Sequence, residues 1–352
     1  MRNEVNLRTL LTLRGQGWYY PCKDPSAKRP EKAAFLLMNK YCIRYDRYGQ
    51  PESVLHLQTL AQMALSTGLV RASMRYAPVN PSDLIPVTGA YRHRTRLPCV
   101  AGYEGVATVT DVSPGFERWS GQRILPLRGE GTWQTALDLD SRWLVAVPDD
   151  IDDTLAARGY INPLTALLML RRWPVRDKRV VLTAASSSCA GLLAQWALRM
   201  GARSVSGVIR SPAHVERLTR LGVCPVMAQD LATLQLISHE ADLVFDAVGG
   251  ELATLMLQAL SPNASLISYG LLSGQPVSYR RGQAKVVKFH LREALPQLDE
   301  RAWQAAFNEL WRLLPQTVLP PVRIIPWRQW RLALEAVREV GRAEKILLDF
   351  AQ

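Results

Sequence analysis

The sequence predicts an α/β protein in which a β-rich region precedes a doubly wound parallel sheet. From residue 179 onward, short apolar runs alternate with helical patterns, which is typical of parallel strands. Between residues 34 and 147, short apolar runs are separated by turn residues, as expected for a small β-barrel-like domain. The length of 352 residues exceeds what one ordinary hydrophobic core accommodates, so two domains are expected.

The β-rich region begins after a basic segment, residues 1–33, which is rich in proline and polar residues and which we predict to be an extension. Its candidate strands lie at residues 40–45, 54–57, 69–76, 106–112, 122–125 and 143–147. After residue 149 the pattern changes, and an apolar segment at residues 163–171 predicts a helix.

The composition is that of a soluble globular protein, with 48% hydrophobic and 21% charged residues. No apolar run reaches the roughly 18 residues of a membrane-spanning helix, so we expect a cytoplasmic protein without membrane contact. The five cysteines are scattered and form no C-x-x-C pair, which indicates neither a disulfide framework nor a zinc site. The net charge of +12 is spread along the chain and favours anionic small ligands, whereas no nucleic-acid-binding motif is present.

Residues 179–222 organise the second half of the chain. We predict a strand at residues 180–182, a turn of small residues at 184–191, a helix ending near Gly201 and a second strand at 204–209. This β-α-β unit has the length of one half of a dinucleotide-binding domain.

The turn after the first strand matches the G-x-G-x-x-G register only in part, because Ser186 and Ser188 stand before a literal Gly191. Serine is small, and its hydroxyl adds a donor to the backbone N–H groups at a helix start near Cys189. We interpret the turn as a modified phosphate cradle, and an ordinary strand–turn–helix with a serine N-cap is the alternative. The predicted cofactor contacts are Ser186, Ser187, Ser188, Cys189, Ala190 and Gly191.

The end of the second strand indicates which dinucleotide binds. An NAD site carries an acidic residue about 20 residues after the glycines, whereas an arginine suits the 2′-phosphate of NADP. Here the strand ends in Arg210-Ser211, and no carboxylate follows until Glu216. Arg210 and Ser211 therefore favour NADPH over NADH, the alternative being a solvated arginine on a loop.

Further strands predicted at residues 241–246 and 264–269 continue the parallel sheet. Ligands of such sheets bind outside the carboxyl ends of the strands. Val248, Tyr269 and Gly270 fall at those ends and are further predicted cofactor contacts.

The C-terminal region is predicted to contain helices at residues 301–314 and 327–340 and strands at 322–325 and 345–350. Trp303 and Trp311 share one face of the first helix, which favours a place in the core over a cofactor contact.

Several strings, in order along the chain, now identify a family resemblance. They are APVNPSD at 77–83, GAY at 89–91, GYEG at 102–105, GTW at 131–133, NPLTA at 162–166, SYG at 268–270 and GQP at 274–276. With them the chain resembles the zinc-independent medium-chain dehydrogenase/reductases, the branch that contains trans-2-enoyl-CoA or acyl-carrier-protein reductases and quinone oxidoreductases.

The resemblance implies a GroES-like β-barrel domain formed by residues 34–158 and completed by residues 318–352. Residues 159–317 would form the Rossmann NADP-binding domain, with the active site in the cleft between the two and homodimers formed through the Rossmann sheets. Zinc-dependent relatives carry His and Cys ligands where this chain has Tyr103 and Pro81 or Ser82, so no metal is expected.

The resemblance also assigns candidate catalytic residues. Reduction of an activated double bond needs a donor for the carbonyl oxygen and an acid for the α carbon, and the tyrosine credited with this work maps to Tyr91. Asn80 either holds the nicotinamide ribose or substrate carbonyl, or only sets a turn. Trp133 is expected to line the cleft, and Asn162 and Thr165 to contact the cofactor.

The loop around Tyr91 is basic, and Arg92 and Arg94 are candidates for binding the phosphates of coenzyme A or an acidic carrier protein, although such a run is also typical of a solvated face. Residues 288–291, KFHL, replace a Gly-Phe-Trp-Leu-like segment that lines the acyl pocket of the enoyl reductases. This difference predicts a changed pocket and a specialised substrate.

Together these features predict an NADPH-dependent, metal-independent reductase of an α,β-unsaturated substrate, such as a 2-enoyl thioester or a related biosynthetic intermediate. A quinone or enone oxidoreductase is one alternative. A non-catalytic, dehydrogenase-like scaffold or binding subunit is the other, because the cradle lacks two glycines.

Overall fold

A computed structural model describes residues 39–129, 131–280, 283–339 and 341–351. The predicted extension at residues 1–33 lies outside the described residues. The α/β fold class is confirmed, because a mixed barrel-like sheet and a parallel sheet with flanking helices are both present. No helix of this described part is long and apolar enough to cross a bilayer.

The first half of the chain forms the barrel-like region. Its elements are β1 (Asn39–Tyr45), α1 (Pro51–Val54), β2 (His56–Ala61), β3 (Leu69–Pro78), α2 (Pro81–Leu84), β4 (Cys99–Val100), β5 (Val106–Val112), β6 (Arg123–Leu125), β7 (Ala136–Asp140) and β8 (Val145–Ala146). Strand β3 is its centre, since it pairs antiparallel with β5 and β7. Most side chains of β3 are buried and only Ser73 is exposed; Val70, Ala72 and Met74 build a common apolar core with α11, described below.

The second half forms the parallel sheet. Its elements are α3 (Asp153–Ala156), α4 (Ile161–Arg172), β9 (Arg179–Leu182), α5 (Ser188–Arg199), β10 (Ser204–Ile209), α6 (Val215–Arg220), β11 (Cys224–Met227), α7 (Leu231–Glu240), β12 (Leu243–Asp246), α8 (Gly250–Ala259), β13 (Ser265–Ser268) and β14 (Lys285–Lys288). The strand order is β11-β10-β9-β12-β13-β14, with every pairing parallel. This is the doubly wound order, which reverses direction next to β9.

The chain then returns to the barrel. Its last elements are α9 (Leu291–Ala294), α10 (Glu300–Leu313), β15 (Val322–Pro326), α11 (Trp330–Arg338) and β16 (Lys345–Asp349). Strand β16 pairs antiparallel with β3, and β15 continues the same sheet. Both chain halves therefore contribute to the barrel sheet, while the exact domain boundaries stay a prediction.

Some elements differ from the sequence expectation. The run predicted as a strand at residues 54–57 is split, because α1 ends at Val54 and β2 begins at His56. Strands β4, β7, β11 and β14 were not predicted. Strand β4 has only two residues, β7 carries aspartates on its outer face, β11 contains Pro225, and β14 begins and ends with a lysine, so none shows the apolar signal of a central strand.

The aromatic stripe of α10 lies in the core, as predicted. The side chain of Trp303 is fully buried, and its ring contacts those of Tyr160 and Phe307 at centroid distances of 5.8 and 4.9 Å. Its indole nitrogen donates to the carbonyl oxygen of Trp143 at 3.2 Å. Trp303 of α10 thus contacts Tyr160, which precedes α4, and bonds to the segment before β8 through the Trp143 carbonyl.

We expect Trp303→Ala to lower the free energy of unfolding by about 3–5 kcal/mol, because it leaves a large cavity and an unpaired carbonyl. Urea unfolding measures this, with the same dependence of the unfolding free energy on urea concentration used for the parent and the variant. Leu332→Ala, at a half-exposed position of α11, is the control and should change it by about 0.5 kcal/mol or less. Equal effects of the two substitutions would contradict this description of the core.

Candidate active site

The turn between β9 and α5 has the geometry of a phosphate cradle. Ala184 adopts a φ of +47°, a left-handed conformation that strains a residue with a Cβ and is often found at functional turns. The Ser187 hydroxyl accepts from the Ala190 N–H at 3.3 Å, so Ser187 is the N-cap and α5 begins at Ser188. The N-cap interpretation therefore holds for Ser187, and it leaves Ser186 and Ser188 partly exposed at the helix start.

Gly191 lies in the first turn of α5 and is buried. A Cβ built on Gly191 would meet no atom within 4 Å, so there is unfilled space beside this turn. Gly270 shows the opposite situation, since a Cβ there would lie 2.6 Å from the carbonyl oxygen of Ala247. An open helix N-terminus flanked by closely packed backbone fits a dinucleotide phosphate.

The buried carboxylate of Asp246 stabilises the chain next to this cradle through hydrogen bonds. Asp246, at the end of β12, accepts from the Thr183 hydroxyl at 2.7 Å and from the backbone N–H groups of Val248 and Gly249 at 3.0 Å. Burial raises the pKa of Asp246, and these donors oppose the rise. Val248 therefore serves the cradle through its backbone. The sequence analysis missed Asp246, although an aspartate between a buried strand and Val-Gly-Gly is a usable signal.

At the expected adenosine end, Arg210 is exposed at the carboxyl end of β10, with its guanidinium available to a ligand. The Ser211 hydroxyl accepts from the Ala213 N–H at 3.3 Å and so begins a short 3-10 turn. Arg217 on α6 was not predicted. Its guanidinium donates to the Ser186 carbonyl at 3.0 Å, which brings a second positive charge to the cradle, and burial lowers its pKa.

Tyr269 lies deeper in the same crevice. Its backbone N–H donates to the Asp246 carbonyl at 2.8 Å, and its hydroxyl is enclosed beside the side chains of Ser187 and Cys189. Burial raises the pKa of the Cys189 thiol to about 12, so this cysteine is a neutral packing residue. Tyr269 therefore packs against the first turn of α5, and its contact with a cofactor stays a prediction.

A second buried polar cluster joins the barrel to α4. Glu104 accepts from the Asn80 amide at 2.7 Å through Oε1, and from the Ile161 and Tyr160 N–H groups at 2.7 and 3.2 Å through Oε2. Lys345 donates to the Asn80 amide oxygen, which also lies 3.4 Å from the amide nitrogen of Asn162. The Asn80 side chain is thus occupied inside the protein, and the structure favours its alternative role of fixing the local chain.

Charge in this cluster is balanced only in part. Two carboxylates, Asp83 and Glu104, face the single ammonium of Lys345, and all three are almost fully buried. Burial raises the pKa of Asp83 to about 7 and lowers that of Lys345 to about 8. Burial also raises the pKa of Glu104, while Lys345 and the N–H donors oppose that change.

Two predicted site residues have other roles. Trp133 is fully buried in the barrel core, and its indole donates to the Pro78 carbonyl at 3.3 Å. The structure thus places the Trp133 ring in the barrel core and gives it no exposed surface, and a contact of Trp133 with substrate stays a prediction. The Thr165 hydroxyl bonds to the Ile161 carbonyl of its own helix at 2.6 Å, and Thr165 as a cofactor contact stays a prediction.

Tyr91 lies on the loop after α2, and this loop is held in place at Gly89. Gly89 has a φ of +87°, and a Cβ there would lie 3.1 Å from Tyr48. The Tyr91 hydroxyl lies 3.2 Å from Nε2 of His290, which follows β14 at the carboxyl edge of the parallel sheet. The Arg94 guanidinium stacks 3.9 Å above the Tyr91 ring, and Arg92 is exposed and donates to the Gly89 carbonyl at 3.3 Å.

The described residues contain no group of three His, Cys, Asp or Glu side chains arranged to hold a metal ion. The side chains in contact with Tyr91 are the imidazole of His290 and the guanidinium group of Arg94.

The sequence is similar to those of known enoyl-[acyl-carrier-protein] reductases. The chain is 31% identical over 269 residues to the mitochondrial enoyl-[acyl-carrier-protein] reductase of Bos taurus, covering 71% of this chain and 72% of that protein. It is 30% identical to the mitochondrial enoyl-[acyl-carrier-protein] reductase of Arabidopsis thaliana, covering 88% of each chain. No protein-family model matches the chain.

Among solved structures, the fold is similar to that of a Bacillus thuringiensis protein assigned as an NADPH:quinone reductase. The TM-score is 0.83 and the identity 32%, with 89% of this chain and 99% of that chain covered. The agreement extends over both the barrel and the parallel sheet.

We expect Lys345→Met to lower the free energy of unfolding by about 3 kcal/mol or more at pH 8, because it leaves two buried carboxyl groups without their cation. The loss should shrink as the pH falls from 8 to 6, since both carboxyl groups have raised pKa values and can take up protons. Urea unfolding at several pH values measures this. Lys178→Met, which removes an exposed ion pair with Asp242, is the control, and a pH-independent loss would contradict the assignment.

Proposed function

The chain belongs to the enoyl-[acyl-carrier-protein] reductase family within the medium-chain dehydrogenase/reductases, and from this premise we propose that it reduces an α,β-unsaturated thioester with NADPH. The observation that carries the proposal is the phenol of Tyr91 held against His290 at the carboxyl edge of the parallel sheet. The open cradle beside Gly191 belongs to the same edge. A proton donor and a dinucleotide site at one edge are what such a reduction needs.

We assign the cofactor to the carboxyl edge of the parallel sheet, along the ends of β10, β9, β12 and β13. The open helix start at Ser188 and Gly191 suits the pyrophosphate, and the exposed Arg210 suits the 2′-phosphate. Arg217 adds positive charge behind the cradle. When bound, NADPH supplies a hydride to the β carbon of the conjugated double bond.

Tyr91 meets the other requirement of the reaction. Hydride addition to the β carbon leaves an enolate, and its oxygen needs a hydrogen-bond donor while its α carbon needs a proton. The Tyr91 hydroxyl can donate a hydrogen bond, and it lies on a loop that Gly89 and Tyr48 hold in place. Asn80 contributes by fixing the chain before α2, at the start of that loop.

The acyl carrier is coenzyme A or an acyl-carrier protein. Arg92 and Arg94 are exposed on the Tyr91 loop, and their guanidinium groups provide positive charge for phosphate or acidic side chains. The relatives named above are acyl-carrier-protein reductases, which supports the second carrier. A homodimer and a cytoplasmic location remain part of this proposal, and the named relatives are mitochondrial.

A quinone or enone substrate is the second candidate. It is favoured by the 32% identity to a protein assigned as an NADPH:quinone reductase. A panel of crotonyl-CoA, acyl-carrier-protein thioesters, enones and quinones, each followed by NADPH oxidation, separates the two. A non-catalytic scaffold is opposed by the open cradle, and failure of both NADPH and NADH to bind would favour it.

We expect Arg210→Glu to weaken NADPH binding at least tenfold while NADH binding changes little, because the substitution removes the partner of the 2′-phosphate. Calorimetric titration with each cofactor measures this. Arg203→Glu, the same charge change at an exposed position before β10, should leave the cofactor preference unchanged. Equal affinity of the parent protein for NADPH and NADH would contradict the 2′-phosphate assignment.

We expect Tyr91→Phe to lower kcat for the preferred thioester about 100-fold and to leave NADPH affinity nearly unchanged, since only the donor hydroxyl is lost. Stopped-flow measurement of NADPH oxidation under single-turnover conditions reports the chemical step. The control is Tyr279→Phe at an exposed position, which should retain parental turnover. Retained turnover in Tyr91→Phe would remove Tyr91 from the mechanism.

A further inference from the structure

The contact between Tyr91 and His290 joins the loop after α2 to the segment between β14 and α9. The two rings meet edge to face, with centroids 5.9 Å apart and an interplanar angle of 83°, so that Nε2 of the imidazole reaches the phenol oxygen at 3.2 Å. Phe289, next to His290, is buried and packs against Trp173 at a centroid distance of 6.1 Å. The buried neighbour fixes the backbone from which the imidazole extends.

We propose that His290 is the positioning residue of Tyr91, donating from Nε2 to the phenol oxygen and thereby directing the phenol hydrogen toward the substrate. The inference rests on the proposed function, since it specifies how the donor of that reaction is oriented. It concerns a residue in the segment where the sequence, KFHL at residues 288–291, differs from the Gly-Phe-Trp-Leu-like pattern of the enoyl reductases.

The direction of this hydrogen bond follows from the other ring nitrogen. Nδ1 of His290 is enclosed and has no hydrogen-bond partner among the described residues. A proton on Nδ1 would be a buried donor without an acceptor, whereas a bare Nδ1 is an unpaired acceptor, which proteins tolerate somewhat better. The neutral tautomer with hydrogen on Nε2 is therefore favoured, and in it His290 donates to Tyr91.

Burial and the neighbouring charges lower the pKa of His290 below its ordinary value near 6.5. Burial is the largest influence. The guanidinium groups of Arg94, from the Tyr91 loop, and Arg292, on α9, act in the same direction, while Glu293 acts against them.

This arrangement has a chemical consequence. A phenol that accepts a hydrogen bond at its oxygen is a better donor through its own hydrogen, since the bonds in such a chain polarise one another. The Nε2–H of His290 also stays in place to stabilise negative charge on the phenol oxygen as its proton moves to the α carbon. His290 acts on the substrate only through Tyr91.

A double-mutant cycle tests this dependence. We expect His290→Phe to lower kcat about tenfold with unchanged NADPH affinity, a size common for residues that orient a catalytic group. His290→Gln should recover most of the rate, because its amide can still donate to the phenol oxygen. In the Tyr91→Phe background, His290→Phe should cause no further loss. His239→Phe, on the exposed end of α7, is the control.

Three outcomes would overturn the proposal: an unchanged kcat in His290→Phe, equal loss in His290→Gln and His290→Phe, or a full tenfold loss from His290→Phe in the Tyr91→Phe background. The last result would mean that His290 acts on the substrate or the fold independently of the phenol.

A measurement without turnover separates this proposal from the proposed function. Imidazole ¹⁵N spectra of the parent protein, with the His290 signals assigned by their absence in His290→Gln, report the tautomer directly. We expect the His290 hydrogen on Nε2 and a His290 pKa below 6.5. Both the tautomer and this pKa should change in Tyr91→Phe. Hydrogen on Nδ1, or no response to Tyr91→Phe, would overturn the inference. Failure of the parent protein to reduce any thioester would instead overturn the proposed function.

Discussion

The carboxylate of Glu104 is the interaction on which the arrangement of the site depends. Glu104 belongs to the barrel region, and its carboxylate accepts hydrogen bonds from the first N–H groups of α4. A carboxylate therefore lies at the positive end of that helix dipole. Its other oxygen holds Asn80, and Lys345 of the last strand completes the cluster. Three segments that are distant in sequence therefore meet at one helix start. The Tyr91 loop follows directly from the segment that contains Asn80.

A buried carboxylate also fixes the chain in the parallel sheet. Asp246 accepts from Thr183 and from the backbone after β12, which connects the ends of two neighbouring strands and fixes the turn that forms the cradle. In both places a buried acid is stabilised by several N–H or O–H donors, with a counter-charge only at Glu104. The polar geometry near the ligand crevice is thus set from inside the protein, and exposed groups such as Arg210 and Arg94 remain available for ligands.

The fold was largely predictable because its signals are local. Strand β10 has the predicted bounds, and β9 and α5 agree within a few residues, since apolar runs, small-residue turns and a terminal glycine act over short distances. Candidate site residues were predictable only where the type of side chain alone indicates a role, as with the phenol of Tyr91 and the guanidinium group of Arg210. The contacts of Glu104, Arg217 and His290 depend on segments brought together by the tertiary fold, and the burial of Trp133 depends on strand packing. No local pattern contains that information.

Closure of the barrel by its final strand has a consequence for biosynthesis. Tyr76, Ala77 and Pro78 at the end of β3 pair with β16, so this part of β3 has no partner until residues 347–349 have been synthesised. The β9-to-β14 unit, whose contacts are closer in sequence, can form earlier. Until β16 pairs with them, these three residues present unpaired backbone groups that other chains can bind.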